Sequence, residues 1–123
     1  MNNVVLVGRL IEDPEMIVTE KGKKMSAITI AVHRNYKNAD GIYETDFIRC
    51  VMWNVIAENI CEYCKSGDVV GVKGRIESRS YEDEKNEKKY ITEVVAEKIT
   101  FLSSKKPDEN DVETKDKKKK SSE

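Results

Sequence analysis

The sequence predicts an all-β fold in which five strands form a small barrel and one helix separates the third strand from the fourth. Apolar residues recur at every second position over most of residues 3–102, as in strands that bury one face. The apolar period changes to that of a helix only once, at residues 54–68. Residues 103–123 contain a single aliphatic side chain, Val112, so we predict a disordered, charged tail after a folded domain of residues 1–102.

The first three strands are separated by turn sequences. Residues 3–10, NVVLVGRL, form the first strand, in which Gly8 indicates a bulge or a sharp bend. The turn EKGKK, residues 20–24, precedes the second strand at residues 25–35, MSAITIAVHRN. The third strand is predicted at about Tyr43–Trp53, after a loop that contains NADG.

The helix predicted at residues 54–68 has apolar residues at the i, i+3, i+4, i+7 spacing of one helical face. We expect Gly67 to end this helix as its C-terminal cap. The residues at the apolar spacing are Ala57, Ile60, Cys61 and Cys64.

Cys61 and Cys64 also form a C-x-x-C pair, which raises the question of a metal site. A structural zinc site needs about four ligands, and the remaining candidates are Cys50 and the single histidine, His33. We therefore interpret the pair as small apolar residues on a buried helix face, and we expect no metal site and no cofactor.

Two further strands complete the pattern: the fourth at about Val69–Tyr81 and the fifth at residues 90–102, joined by a charged hairpin loop at 82–89. The order β-β-β-α-β-β matches the OB-fold, a small, partly open barrel whose end the helix would close. The side chains expected to fill the barrel interior are Ile28, Ile30, Val32, Ile48, Val70, Val72 and Ile76.

The opposite faces of the third and fourth strands are unusual because they combine cations with aromatic rings. On the third strand, Ile48, Cys50 and Met52 form the core face. The other face of that strand carries Phe47, Arg49, Val51 and Trp53, and the fourth strand carries Lys73, Arg75, Glu77, Arg79 and Tyr81 out of phase with its core residues. Tyr36 and Lys37, placed in the loop before the third strand, have the same character.

Basic and aromatic side chains on one face are typical of proteins that bind single-stranded nucleic acid. Unpaired bases stack on aromatic rings with little dependence on sequence, and Arg and Lys contact the phosphates. An alternative is that Phe47, Trp53 and Tyr81 are buried against a second protomer, because aromatics and Arg are also enriched in protein interfaces. Both arrangements can coexist in one oligomer.

The sequence resembles the bacterial single-stranded DNA-binding protein family, in the form common in Gram-positive bacteria and their phages. The resemblance covers about residues 1–102, and its segments occur in order and at matching spacing. These segments are MNNVVLVGRL with DPE (13–15), AITIAVHRNYKN (27–38), DFIRCVMW (46–53), AENI (57–60), SGDVVGVKGRIESRSY (66–81) and YITEVVAEKITFL (90–102).

The resemblance implies an OB-fold that assembles as a homotetramer and binds single-stranded DNA during replication, recombination and repair. It also implies that part of Asn2–Val7 pairs protomers. The positions implied to stack on bases are Tyr36, Phe47, Trp53 and Tyr81, and those implied to contact phosphates include Arg34, Arg49, Arg75 and Arg79.

Two features depart from the family pattern. Family members usually end in an acidic, hydrophobic tip that recruits other proteins, whereas this sequence ends in DKKKKSSE, so recruitment through such a tip is not expected. The lysine run at 117–120 is either a solvated segment or an additional anchor for phosphates. Glu77 lies within the basic row and would weaken its field unless Arg75 or Arg79 pairs with it.

Other functions and locations are disfavoured by what the sequence lacks. We find no catalytic set and no phosphate-binding G-x-x-x-x-G-K-[ST] loop, so we predict that the protein is not an enzyme. The start MNNVVLVGRL is unlike a signal peptide and no membrane-spanning run occurs, so we expect a cytoplasmic, nucleoid-associated protein. A protein-binding OB module and an RNA-directed, cold-shock-like role remain alternative hypotheses.

Overall fold

The computed structural model describes residues 1–103 and contains six strands and one helix within them. Burial alternates along residues 4–10, 25–31 and 69–74, which confirms the predicted two-residue period there, whereas residues 50–52 and 93–96 are buried in succession. The elements are β1 (Val4–Leu10), β2 (Ile17–Val18), β3 (Lys24–Lys37), β4 (Tyr43–Trp53), α1 (Asn54–Tyr63), β5 (Val69–Glu82) and β6 (Lys88–Ser103).

Five of the strands close into a barrel, as predicted for an OB-fold. The order across the sheet is β1-β5-β6-β4-β3, and a further pairing between β1 and β3 closes the ring. The β4–β6 pair is parallel, and the other neighbouring pairs are antiparallel. The sixth strand, β2, was not predicted, because two residues that pair with Met25 and Lys24 are too short to show a period.

Gly8 lies where β1 passes between its two partners, β5 and β3. The neighbouring Arg9 is in register with both Val69 of β5 and Ala31 of β3. A Cβ atom at Gly8 would lie 2.8 Å from the carbonyl oxygen of Ala31, closer than side chains tolerate. Glycine therefore allows β1 and β3 to approach and close the barrel.

The barrel interior is filled by aliphatic and sulfur-containing side chains, with Ala57 and Ile60 of α1 packed against them. Val32 and Ile48 are partly buried against this core. The prediction that Ile76 fills the interior is wrong, because its exposed fraction is 45%. Since β1 pairs with β5 only as far as Gly74, the later part of β5 continues as a hairpin with β6 beyond the barrel.

The helix ends earlier than the sequence suggested. It terminates at Tyr63, and Cys64 follows in an extended conformation, with its N–H donating to the carbonyl oxygen of Ile60 at 3.1 Å. Gly67 has a φ of 96°, but it lies in the loop after the helix, where its N–H donates a hydrogen bond to the carbonyl oxygen of Leu10 at 2.9 Å. It therefore fixes the loop onto β1 instead of capping the helix.

The cysteines lie in and beside the core. Cys50 and Cys64 are buried, Cys61 is half-buried with its thiol 3.5 Å from the Ser26 hydroxyl, and all three are free thiols. Within residues 1–103, no group of three or more His, Cys, Asp or Glu side chains has the arrangement of a metal site.

The predicted boundary between domain and tail falls at the edge of the described chain. Ser103 is the last residue of β6, in register with Val69. The rest of the predicted tail, including Val112 and the lysine run at 117–120, lies outside the described residues. Up to residue 103, the ten-residue α1 is the helix present, and it is too short to cross a membrane.

Candidate nucleic-acid interface

The outward face of β4 carries an exposed aromatic ring beside small residues of β3. Phe47 lies opposite Ala31, and Arg49 lies opposite Thr29 in the antiparallel β3–β4 pair. The exposed fraction of Phe47 is 65%. Because the neighbouring strand presents small side chains here, the face of the Phe47 ring is open to a flat ligand such as a base.

Beside Arg49, the outward face of β4 is closed and apolar at Val51. Val51 was predicted to lie on the outward face with Phe47 and Arg49, and its register agrees, but only 3% of its surface is exposed. It pairs with Val95 of β6, which is also buried, and with Ala27 of β3. Alternation alone could not show this burial, because it depends on the side chains of the two neighbouring strands.

Arg49 and Arg79 are held by one buried carboxylate. Arg49 of β4 donates from Nε to Glu93 Oε2 at 3.0 Å, and Arg79 of β5 donates from Nε to Glu93 Oε1 at 3.1 Å. Glu93 lies on β6, between the two arginine-bearing strands, and its side chain is 8% exposed. Sequence reasoning missed Glu93, although its alternation places it on the opposite face from Val94.

Arg75 is paired with two exposed acids. Its Nε lies 2.7 Å from Glu77 Oε2, and its NH1 lies 3.1 Å from Glu97 Oε2. These hydrogen bonds raise the pKa of Arg75 above its ordinary value. Glu77 is therefore neutralised by Arg75, which is one of the two pairings considered for it. Lys73 is exposed opposite Val5, and no carboxylate within residues 1–103 lies at ion-pair distance from it.

Arg34 lies near the β3–β4 hairpin and is engaged by two acids of β4. It makes a two-pronged contact with Asp46, at 2.9 and 2.8 Å, and its NH1 lies 2.9 Å from Glu44. The hydrogen bond to Asp46 is the main cause that raises the pKa of Arg34, and it lowers the pKa of Asp46. Tyr36, predicted in a loop, instead belongs to β3, with its ring centroid 6.0 Å from the Arg34 guanidinium carbon.

Trp53, at the other end of β4, lines a groove under the turn between β2 and β3. The groove has a volume of about 440 Å³, and Lys21 and Lys23 of the turn also line it. The exposed fraction of Trp53 is 37%, so one part of the indole remains accessible. Sequence reasoning read EKGKK only as a turn and missed these lysines, because the sequence does not show that this turn lies beside Trp53.

Tyr81 lies on the β5–β6 hairpin that extends from the barrel. It is exposed and lies two positions beyond Arg79 on the same face of β5. Two exposed tyrosines outside the predicted set have a cation near the ring: Lys37 Nζ is 5.7 Å from Tyr43, and Lys88 Nζ is 5.7 Å from Tyr90.

The structure thus brings part of the predicted set together and separates the rest. The centre of the face holds Phe47, Arg49 and Arg79, with Arg75 alongside on β5. The remaining predicted residues lie around this centre. They are Arg34 and Tyr36 near the β3–β4 hairpin, Tyr81 on the β5–β6 hairpin, Trp53 at the end of β4 and Lys73 on the side toward β1.

The barrel and this face define the class of protein. OB-folds that bind oligonucleotides use the surface of their second and third strands and the adjoining hairpin loops, which correspond here to β3, β4 and the hairpins around them. The family model described as "Single-strand binding protein family" matches residues 1–102. The chain belongs to this family.

Several bacterial proteins named for single-stranded DNA binding are similar in sequence to this chain. Single-stranded DNA-binding protein 3 of Listeria innocua is 48% identical over 105 residues, which cover 85% of this chain and 66% of that relative. Single-stranded DNA-binding protein B of Bacillus subtilis is 45% identical over 104 residues, covering 85% of this chain and 92% of the relative. Single-stranded DNA-binding protein 1 of Lactococcus lactis is 46% identical over 106 residues, which cover 86% of this chain and 71% of that relative.

Proposed function

We propose that this protein binds single-stranded DNA without sequence preference, through base stacking and phosphate contacts on the outward face of β3, β4 and β5. The observation that carries the proposal is the exposure of Phe47 beside Arg49 and Arg79, on a strand whose other face fills the core. An exposed ring of this size adds nothing to the folded core, whereas a base can cover it. The names of the relatives support the same ligand.

Stacking positions would be spread from one end of the face to the other. Phe47 lies near its centre, Trp53 lies beside the β2–β3 turn, and Tyr36 and Tyr81 lie on the two hairpins. Each stacked base contributes about 1–3 kcal/mol, and every base offers a flat face. A strand of DNA could therefore pass across the barrel with its bases toward the sheet, whatever its sequence.

Besides Arg49 and Arg79, phosphate contacts would come from two kinds of cation. Arg34 and Arg75 are paired with exposed acids, which phosphate oxygens would have to replace. Lys21, Lys23 and Lys73 have no carboxylate at ion-pair distance within the described part of the chain, so they meet phosphate without such an exchange. Contacts of either kind release counterions, so the affinity should fall as salt rises.

The wider role that we propose is protection of single-stranded DNA in replication, recombination and repair, by a homotetramer that is a binding protein and not an enzyme. Family membership is the main support for this role. The side chains of Val5 and Val7 on β1 are exposed in the single chain and apolar, as expected for a surface that another protomer covers. Light scattering with dT oligomers of graded length would give the subunit number and the nucleotides covered together.

Trp53 provides a direct test of stacking because it is the only tryptophan in the sequence. We expect its fluorescence to be strongly quenched when poly(dT) is added to the full chain in low salt, and restored as salt is raised. An unchanged spectrum through a complete titration would contradict stacking at Trp53 and favour a protein-binding OB module. Competition between poly(dT) and poly(U) tests the RNA-directed alternative, because that role requires poly(U) to bind more tightly than poly(dT).

A further inference from the structure

Glu93 of β6 is a carboxylate that joins Arg49 of β4 to Arg79 of β5 on the outward face. Its oxygens each accept one hydrogen bond, from Arg49 Nε at 3.0 Å and from Arg79 Nε at 3.1 Å. The acid is 8% exposed, while the arginine side chains are 43% and 53% exposed. The carboxylate therefore forms the buried floor of a cluster whose cations reach the surface.

We propose that Glu93 is a positioning residue that holds the guanidinium groups of Arg49 and Arg79 in the orientation in which they bind phosphate. This inference rests on the proposed binding of single-stranded DNA. The negative charge of Glu93 would by itself weaken the binding of DNA, which is a polyanion, but the residue would favour binding by orienting the two arginines.

The atoms used in the two ion pairs support a positioning role. Both arginines contact Glu93 through Nε, and within residues 1–103 neither has a further hydrogen bond from its terminal NH1 or NH2 nitrogens. Those four nitrogens carry the N–H donors that form two-pronged contacts with phosphate oxygens. Glu93 thus holds each guanidinium through its Nε and leaves the NH1 and NH2 donors for a ligand.

The setting of Arg75 shows the contrasting case. Its acids, Glu77 and Glu97, are about half exposed and occupy both Nε and NH1. An exposed acid can turn to solvent when a phosphate arrives, because surface ion pairs contribute little. Glu93 has no such freedom, because a buried carboxylate that loses its partners stays unpaired in a poorly solvated environment. The Glu93 contacts should therefore persist in the complex with DNA.

Glu77 supplies a matched control because it lies directly opposite Glu93 in the β5–β6 register. Glu93→Gln and Glu77→Gln each remove one negative charge from the same face. If charge alone mattered, both variants would bind poly(dT) more tightly than the wild type. If Glu93 positions the arginines, Glu93→Gln should bind roughly tenfold more weakly, since its amide NH₂ would face an Nε–H donor, whereas Glu77→Gln should bind as tightly as the wild type or more tightly.

Glu93→Asp completes the test because it keeps the charge and shortens the side chain by one methylene. Positioning predicts weaker binding and a smaller salt slope for this variant, because at least one arginine loses its fixed orientation. Thermal unfolding would identify a temperature at which each full-length variant is folded. Tighter binding by Glu93→Gln, or wild-type affinity and salt slope in Glu93→Asp, would overturn the proposal. Failure of the wild-type chain itself to bind poly(dT) would instead overturn the proposed function.

Discussion

The two faces of β4 differ in what covers them. Cys50 and Met52 point into the barrel and are completely buried by the fold, whereas Phe47 on the opposite face is 65% exposed and Trp53 is 37% exposed. Both sets belong to one strand, DFIRCVMW, and both are largely apolar. Hydrophobicity therefore does not distinguish them, and the difference is whether folding or a ligand removes the side chain from water.

Because of this difference, substitutions on the two faces of β4 should affect different quantities, namely stability on the inward face and DNA binding on the outward face. Loss of an inward side chain leaves a cavity and lowers the free energy of unfolding. Loss of an outward ring leaves the folded core intact and removes a surface for stacking. The exception is Val51, which is buried on the outward face against Val95, so this apolar part of the outward face belongs to the folded core.

The largest effect that we predict is on the inward face. Met52→Ala should lower the free energy of unfolding by roughly 2–5 kcal/mol, because a fully buried side chain is replaced by a cavity. Urea denaturation followed by circular dichroism would measure the change. The outward control, Phe47→Ala, should change the free energy of unfolding by less than about 1 kcal/mol. If Phe47→Ala were the more destabilising variant, the assignment of the inward and outward faces of β4 would be wrong.

The next effect concerns the outward face and appears in binding. Phe47→Ala should weaken binding of dT oligomers by about 1–3 kcal/mol, because one base loses its stacking partner. Phe47→Tyr serves as the control and should retain most of the affinity, since it keeps the ring. Fluorescence anisotropy with labelled oligomers at fixed salt would measure both. Equal losses in the two variants would show that the ring itself does not stack.

Alternation in the sequence was enough to predict the barrel and most of its core. Ile28, Ile30, Val70 and Val72 are buried as expected, because each lies within the closed part of the sheet. Ile76 follows the same pattern but lies past the last pairing with β1. Alternation in a strand sequence indicates which face is apolar, but it does not indicate where the neighbouring strand ends.

The candidate site was predictable in its cations and aromatics, and less so in their partners. The outward position of Arg49 followed from its strand alone. Its link to Arg79 through Glu93 depends on the parallel β4–β6 pairing, which brings together residues 44 positions apart. The turn lysines near Trp53 were missed for a similar reason, because only the fold places the β2–β3 turn beside the end of β4.

The third effect that we predict concerns the inward face and appears in the dependence of the free energy of unfolding on pH. Burial raises the pKa of the Cys50 thiol to about 11. Below the ordinary thiol pKa, the thiol is neutral in both the folded and the unfolded chain, so it adds no pH dependence. Between that value and about 11, the unfolded chain ionises first, so the free energy of unfolding should fall as pH rises, by at most about 1.4 kcal/mol per pH unit from this group.

Replacement of the Cys50 thiol isolates its contribution from that of the Cys64 thiol, whose pKa is also raised to about 11, mainly by burial. Cys50→Ala should flatten the decline in the free energy of unfolding between pH 9 and pH 11, roughly the interval over which burial shifts this thiol. Val72→Ala, which opens a cavity in the same core without removing a titratable group, should keep the wild-type slope. Urea denaturation across this pH series measures both slopes. An unaltered slope in Cys50→Ala would mean that the thiol ionises as readily in the folded barrel as in the unfolded chain.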